Sequence, residues 1–345
     1  MVEAKQIELP DCEVLREYPI PDDEWHQLRK QGIGGSDAAI IMGANPYETQ
    51  LSLAMQKTGR MQPFDGNEAA EVGTILEPLI RNHLVEQYLV EQGYAVDAMP
   101  IEPWAMFRSK EYPYMTANID GLISMRVEDD DGSNVIATYN RFTAGLEIKT
   151  GKVYQLKHWA NDRVPDSYWW QVQHYMAVTG LRMWLVFGLI GNTRLVRFVE
   201  RDDVAIDELA WREGEFWDIV RRNDPLWFPM PTGHERDMDA LMELGSPQVD
   251  DTADLTDAEQ AVRRYIDLGE QIKDLKEERE QAKQQVLHHM GNAKYGRAGS
   301  LQVTFSRYTT SRLDSKRLKK ERPDVATEYT NETETGRLSV KESDQ

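Results

Sequence analysis

Three side chains near the middle of the chain hold the most chemistry for their spacing. Asp120 ends the strand-like stretch TANID and precedes Gly121, and Glu147-Ile148-Lys149 lies inside a second alternating stretch, TAGLEIKT. Alternate residues of a strand share a face, so Glu147 and Lys149 point the same way. If the two strands pair as a hairpin, Asp120 joins them. Two carboxylates with a backbone carbonyl are hard oxygen donors, suited to Mg²⁺, which keeps waters in its shell. The lysine can orient such a water as a nucleophile, and cation and ammonium together neutralise charge developing on a pentavalent phosphate. Taken alone, the pattern also describes an ordinary surface ion pair on a half-exposed strand.

Other polar groups strengthen the chemical reading. Glu77 stands among Ile75, Leu76, Leu79 and Ile80, where an unpartnered carboxylate would be costly. Gln171 and Gln173 lie on a Trp- and Tyr-rich helical stretch; two positions apart, they cannot both face one pocket. Arg29 and Ser36 flank the break GIGGS, and an arginine beside a helix start suits a phosphate. Two decoys fail. Gly32-x-Gly34-x-x-Asp37 lacks the third glycine of a dinucleotide loop, and GLEIKTGK (145–152) is one residue too long for a phosphate-binding P-loop, with Val153 where Ser or Thr is needed.

These groups need elements to position them. Residues 22–31 read as a short amphipathic helix capped by Asp22 or Asp23, and a second helix starts after the glycine break, capped by Ser36 or Asp37. Residues 50–59 form a third. Residues 68–92 show continuous helical spacing, closed by Gly93. The acidic stretch EDDDGSN (128–134) is the tip between the two candidate strands. Residues 167–180 read as a helix capped by Ser167, MWLVFGLI (183–190) as an interior strand with 194–199 beside it, and 203–223 as a helix. We place a domain at 1–232, a linker at 233–254 and a C-terminal extension at 255–345. The extension opens with a Thr256/Glu259 capping box on a long helix. That helix has an apolar seam through Val262, Tyr265, Leu268, Ile272, Leu275, Val286 and Met290. A strand at 301–305 and a basic helix capped by Asp314 follow.

Composition bounds the class. Hydrophobic residues make up 40% of 345, enough for a packed core. The single cysteine, Cys12, excludes an internal disulfide framework and a cysteine-ligated zinc or iron–sulfur site. The chain start lacks the basic head and apolar stretch of a secretory signal, and no apolar run reaches the ~20 residues of a membrane span, so a cytoplasmic setting is expected. With 59 acidic and 40 basic residues the formal charge is −19, which opposes general attraction to nucleic acid. Between residues 297 and 322, however, eight basic residues face two acidic ones.

Five ordered blocks, WHQLRKQGIGGSDAAIIMGANPY, EVGTILEPLIRNHL, ANIDGL, LEIKT and WWQVQHYMAVTG, resemble those of the YqaJ-type viral recombinase family. That family stands with phage lambda exonuclease in the PD-(D/E)xK nuclease superfamily. The resemblance spans about residues 25–180. It implies an α/β (α+β) fold with a central mixed sheet flanked by helices, a restriction-endonuclease-like core, and Mg²⁺-dependent DNA cleavage with Mn²⁺ as a substitute. By position it implies that Asp120, Glu147 and the Ile148 carbonyl bind the metal. Glu77 would assist there, Lys149 would activate water, Arg29 and Ser36 would hold a phosphate, and Gln173, with Gln171 beside it, would support the active-site strand. It further implies a 5′-to-3′ exonuclease acting on double-stranded DNA ends, a ring-like homo-oligomer, and a single-strand annealing protein as partner, in a bacterial host. The family's usual proline before the first aspartate is Ile119 here, and the Asp120–Glu147 interval is long. A structure-specific endonuclease of the same fold and a non-catalytic DNA-end or recombinase-docking module are the alternatives.

Overall fold

The computed structural model describes residues 9–63, 68–92, 99–128, 139–245, 252–331 and 336–340. The chain divides into two units, Met1–Pro247 and Gln248–Gln345. In the first, β1 (Cys12–Glu17), α1 (Asp22–Lys30), β2 (Ile33–Gly34), α2 (Gly35–Ile41) and α3 (Gln50–Lys57) come before a long helical stretch. That stretch is α4 (Glu68–Leu79), a π-helical turn (Ile80–Val85) and α5 (Glu86–Glu91). Strands β3 (Met99–Ile101), β4 (Ala105–Ser109), β5 (Met115–Ala117), β6 (Gly121–Glu128) and β7 (Tyr139–Gly151) follow. A 3₁₀ segment (Val153–Asp162) leads into α6 (Asp166–Thr179), β8 (Met183–Ile190), β9 (Thr193–Glu200), α7 (Asp203–Arg222) and α8 (Glu235–Leu244).

The central sheet has the order β3-β6-β7-β8-β9 and is mixed: β6 and β7 form the antiparallel pair, while β7 runs parallel to β8. A second sheet, β1-β4-β5-β2, holds β5 parallel to β2. Both faces of β8 are buried, which is why its sequence is apolar throughout. Trp184, Val186 and Ile190 pack with Val172 and Met176 of α6, while Leu185 and Phe187 join Leu146, Ile148, Ile80, Val85 and Leu89 on the other face. Strand β8 is therefore held between two cores, and the adjacent β7 packs Leu146 and Ile148 into the second, so that its Glu147 and Lys149 lie on the α6 side by the alternation of the strand.

Several local expectations change. The continuous helix over 68–92 is interrupted, because Pro78 has no N–H for the helical ladder and the chain widens into the π turn directly after it. Its expected stop, Gly93, and residues 129–134 of the acidic tip lie outside the described residues. Pro21 and Pro165, rather than Asp22, Asp23 or Ser167, precede the first turns of α1 and α6. Helix α2 starts earlier than a Ser36 or Asp37 cap implies, at Gly35, and Asp37 closes its end from inside by accepting from the Gly34 N–H at 2.9 Å. Residues 235–244, placed in the linker by composition, form α8. Ala240 of α8 is buried in the same cluster as Leu51 and Met55 of α3, so the first unit extends past residue 232.

The second unit holds α9 (Glu259–Met290), the hairpin β10 (Tyr295–Ala298) and β11 (Leu301–Thr304), α10 (Ser315–Glu321) and α11 (Pro323–Glu328). The Thr256/Glu259 capping box does not form: Thr256 bonds Asp254 at 2.6 Å and a 3₁₀ turn precedes α9. Tyr265, Leu268, Ile272, Leu275 and Val286 of the seam are exposed. Asp314 caps α10 through the Arg317 N–H, as its position suggests.

One polar pair is sealed inside the first unit. His174 of α6 places Nδ1 2.8 Å from Glu213 Oε1 and Nε2 2.9 Å from the Thr116 carbonyl. The Thr116 carbonyl takes the Nε2 N–H, and Nδ1 and Glu213 Oε1 hold one proton between them. Burial works against charge on either group: it raises the Glu213 pKa, while at His174 it is outweighed by Glu213, which raises that pKa as well. Breaking such a pair leaves a lone buried charge, whereas replacing both members is far cheaper. Glu213→Leu is expected to destabilise this unit by about 3 kcal/mol, and His174→Leu/Glu213→Leu to recover most of the loss. Urea unfolding followed by tryptophan fluorescence checks this, since all nine tryptophans precede residue 228.

Candidate active site

The antiparallel β6–β7 pairing sets Gly121 opposite Leu146, which brings Asp120 beside Glu147. Asp120 Oδ2 accepts from the Ile148 N–H at 2.7 Å, pinning the carboxylate to the next strand. Lys149 Nζ lies 2.5 Å from Glu147 Oε1, and the same oxygen accepts from Gln171 Nε2 at 2.8 Å. Glu147 is buried, while Lys149 keeps 22% of its side chain exposed. Glu147 Oε2 is buried and has no hydrogen-bond partner among the described residues. These groups line one cleft of about 270 Å³, together with Glu77, Arg29, Ser36 and Asn118.

Helix α4 brings Glu77 to the rim, and the π turn that follows places Arg81 beneath it. Arg81 Nη1 donates to Glu77 Oε1 at 3.0 Å and to the Asp120 carbonyl at 2.5 Å. The helix can approach β7 this closely because Gly73 faces Thr150, where a Cβ would come within 2.9 Å of the hydroxyl. On the opposite wall, Arg29 Nη2 donates to Ser36 Oγ at 3.0 Å, and its guanidinium sits 5.0 Å over the Trp25 ring. Gly35 is required there: a Cβ would strike the Tyr175 ring of α6.

The glycine break is fixed from below by Lys57. Its buried ammonium is 2.6 Å from Asp37 Oδ2 and donates to the carbonyls of Arg29 and Gly32, each at 2.7 Å. All three protons are thus used. Burial opposes the charge on Asp37, but Lys57 and Arg29 prevail and hold its pKa below the ordinary aspartate value.

The electrostatics of the cleft are unbalanced. Burial, then the Glu147 charge, pushes Asp120 up to about 7. Burial likewise raises Glu147, and burial followed by repulsion from Asp120 raises Glu77. Burial also disfavours the Lys149 ammonium, yet Glu147 and Asp120 more than compensate and keep its pKa above the lysine norm. One lysine and Arg81 therefore face three carboxylates. Among the described residues no three His, Cys, Asp or Glu side chains form a closed metal cage. What is present is an open donor set: Asp120, Glu147 with its unpartnered oxygen, and the Ile148 main chain. Such a set could hold a hard cation that retains water.

Eight of the nine site residues read from the sequence, Arg29, Ser36, Glu77, Asp120, Glu147, Ile148, Lys149 and Gln171, line this cleft. Gln173 does not. Its Nε2 donates to the Glu200 carbonyl at 2.8 Å and its Oε1 accepts from the Asp202 N–H at 3.0 Å, so it ties β9 to α7. Gln171 is the glutamine that steadies Glu147. The sequence reading missed Arg81, Lys57 and Tyr175. Arg81 was signalled by its i,i+4 spacing from Glu77. Tyr175 stands at the same spacing from Gln171, whose Nε2 donates to its hydroxyl at 3.0 Å, whereas Lys57 carries no comparable local mark.

Comparison with known proteins gives a consistent picture. Residues 24–182 match the YqaJ-like viral recombinase domain. The YqaJ protein of Bacillus subtilis (strain 168) is 32% identical over 329 residues, covering 93% of this chain and 94% of that protein. Among solved structures, the alkaline exonuclease LHK-Exo from Laribacter hongkongensis superposes with a TM-score of 0.43 at 20% identity, over 58% of this chain and 93% of that one. A phage-related exonuclease from Haemophilus somnus 129PT gives 0.34 at 13% identity, over 63% and 99%.

The raised Asp120 pKa makes stability depend on pH. A carboxyl whose native pKa lies above its unfolded value favours the fold fully below the unfolded value, near 3.8, and this contribution is lost as pH rises through about 7. In EDTA, Asp120→Asn is expected to be more stable than the parent by about 2 kcal/mol at pH 8, with the gap closing towards pH 4. Denaturant titrations at the two pH values measure it; an equal gap at both would contradict the charge assignment.

Proposed function

We propose, from the premise that the chain belongs to the YqaJ-like viral recombinase family, that it is a metal-dependent deoxyribonuclease hydrolysing phosphodiester bonds at the Asp120–Glu147–Lys149 cleft. The observation that carries this reading is the convergence of Asp120, Glu147 and Lys149 on one wall with Arg29 and Ser36 across from them. Carboxylates on one side and phosphate donors on the other are what cleavage of a phosphodiester requires.

The donor set of Asp120, Glu147 and the Ile148 carbonyl fits Mg²⁺, with Mn²⁺ as a substitute, and the partnerless Glu147 Oε2 is a ligand atom in waiting. A bound cation would supply charge neutralisation at the phosphate and an acidified water. The chain's own residues do the rest. Arg29 and Ser36 anchor a phosphate through charge-assisted donors. Lys149, held protonated by Glu147 and Asp120, presents its ammonium to the phosphate oxygens and orients the attacking water. Gln171 fixes Glu147 through one oxygen and leaves the other free. Glu77, braced by Arg81, borders the same space.

The finer reading follows the resemblance: attack from a 5′ end of linear duplex DNA, leaving a 3′ single strand for a single-strand annealing protein, by a ring-like homo-oligomer. The test uses the full chain with 5′-phosphorylated linear duplex and covalently closed circular DNA, in Mg²⁺, Mn²⁺ or EDTA. We expect the linear substrate to be degraded from its 5′ ends, the circle to survive and EDTA to abolish the reaction. Lys149→Ala is expected to lower the rate by at least ~100-fold. Cleavage of the circle would replace the exonuclease with an endonuclease. Full activity of Lys149→Ala would remove the site.

A further inference from the structure

Helix α9 of the second unit runs for 32 residues, about 48 Å, and none of them is buried. A helix in a folded protein takes most of its stability from packing one apolar face. α9 has such a face, and Tyr265, Leu268, Ile272, Leu275 and Val286 stand exposed on it.

That face keeps a strict rhythm. From Ala258 to His289 its positions fall alternately three and four residues apart, a seven-residue repeat sustained over four heptads. Such a period holds one seam against one partner helix along its whole length. Written as heptads, Tyr265, Ile272, Arg279 and Val286 fall at a, and Leu268, Leu275 and Ala282 at d. β-branched residues at a with leucine at d favour two parallel strands. A single polar residue at a, here Arg279, fixes the register at a cost in stability.

The charges beside the seam select the partner. Glu278 lies at g and Lys283 at e, five residues on, and these positions meet between parallel helices. Within its own helix Glu278 has Asp274, Leu275, Gln281 and Ala282 three and four places away, so no cation reaches it there. Lys283 holds Glu280 at 2.9 Å, an exposed contact that is cheaply exchanged. Glu278 of one copy would also flank Arg279 of the other. In an antiparallel pair e faces e, and the e column, which holds Lys276 and Lys283, has no carboxylate.

We propose that α9 is a self-association surface, through which two copies of this chain pair as a parallel, in-register, two-stranded coiled coil. The interface lies wholly in the second unit and does not depend on the nuclease reading.

The experiment uses the full chain carrying Cys12→Ser, so that each added cysteine is the only thiol. Ala261→Cys and Ala282→Cys, both at d, and Gln284→Cys, at the outward f position, are oxidised with copper phenanthroline. Covalent dimers are then resolved on non-reducing gels. Identical d positions meet in a parallel, in-register pair, so both d variants are expected to link, and Gln284→Cys at least ~10-fold more slowly. An antiparallel pair brings identical residues together at one point only. Linking at just one d position therefore overturns the proposal, as does linking no faster than at Gln284. Glu278→Lys or Lys283→Glu, added to Ala282→Cys, sets like charges at both g–e contacts and is expected to slow linking roughly fivefold at low salt. An equimolar mixture of the two variants again opposes unlike charges and should recover most of the parent rate. A mixture no faster than either variant alone overturns the parallel pairing.

Discussion

Burying Glu147 is the constraint around which the first unit is arranged. A carboxylate at 1% exposure on the inner face of a sheet is sustained only by groups that neutralise it or donate to it. Lys149 and Gln171 both engage one oxygen, and nothing among the described residues engages the other. Asp120, brought alongside by the β6–β7 pairing, adds a second desolvated charge where it is least tolerated. The surrounding structure must hold this arrangement against its own repulsion. It does so by packing: Leu146 and Ile148 of β7 are anchored in the cluster built on the π turn and α5, and the neighbouring β8 is buried between that cluster and the α6 cluster. Local instability of this kind is stored where function needs it and offset by packing elsewhere.

The opposite wall solves a different problem with the same means. Arg29 at the end of α1 and Ser36 in the first turn of α2 flank a stretch rich in glycine, which by itself has little reason to stay in one conformation. Lys57 supplies that reason by spending all three protons on Asp37 and two main-chain carbonyls of the turn. Gly35 then allows α2 to settle against Tyr175, whose hydroxyl donates to the Asn118 carbonyl on the carboxylate wall. Tyr175 also accepts from Gln171, the partner of Glu147. The phosphate-facing and carboxylate-facing walls are thereby joined through one helix, α6, and their separation is set by rigid elements rather than by loops.

Much of this was legible in the sequence, for identifiable reasons. Period-two alternation was enough to put Glu147 and Lys149 on one face, and an unbroken apolar run was enough to place β8 inside the sheet. The glutamine pair shows where such reasoning stops. Helical geometry says that only one of Gln171 and Gln173 can reach the cleft, but the choice depends on how α6 is rotated against β8, and tertiary packing decides that. The caps were misplaced for a local reason: prolines at 21 and 165 start their helices without a capping side chain, so the polar residues after them only resemble caps. The break after Pro78 was masked by apolar spacing that runs on through it, and its form, a π turn that buries Arg81 beneath Glu77, depends on what packs around it. Lys57 lies twenty residues from its partner Asp37 and leaves no trace in spacing.

The net charge of −19 takes on a different meaning beside this geometry. Long-range attraction to DNA is proportional to the field a protein projects, and an acidic surface projects the wrong sign. Contacts inside a desolvated cleft are governed by nearby charges, because solvent and salt screen them far less than they screen the surface. Lys149 is such a contact, with Arg29 across the cleft from it. On the proposed reading the cleft supplies specific donors for a strand that has entered it, and the acidic surface around it adds discrimination: phosphates would be held where Lys149 can act on them.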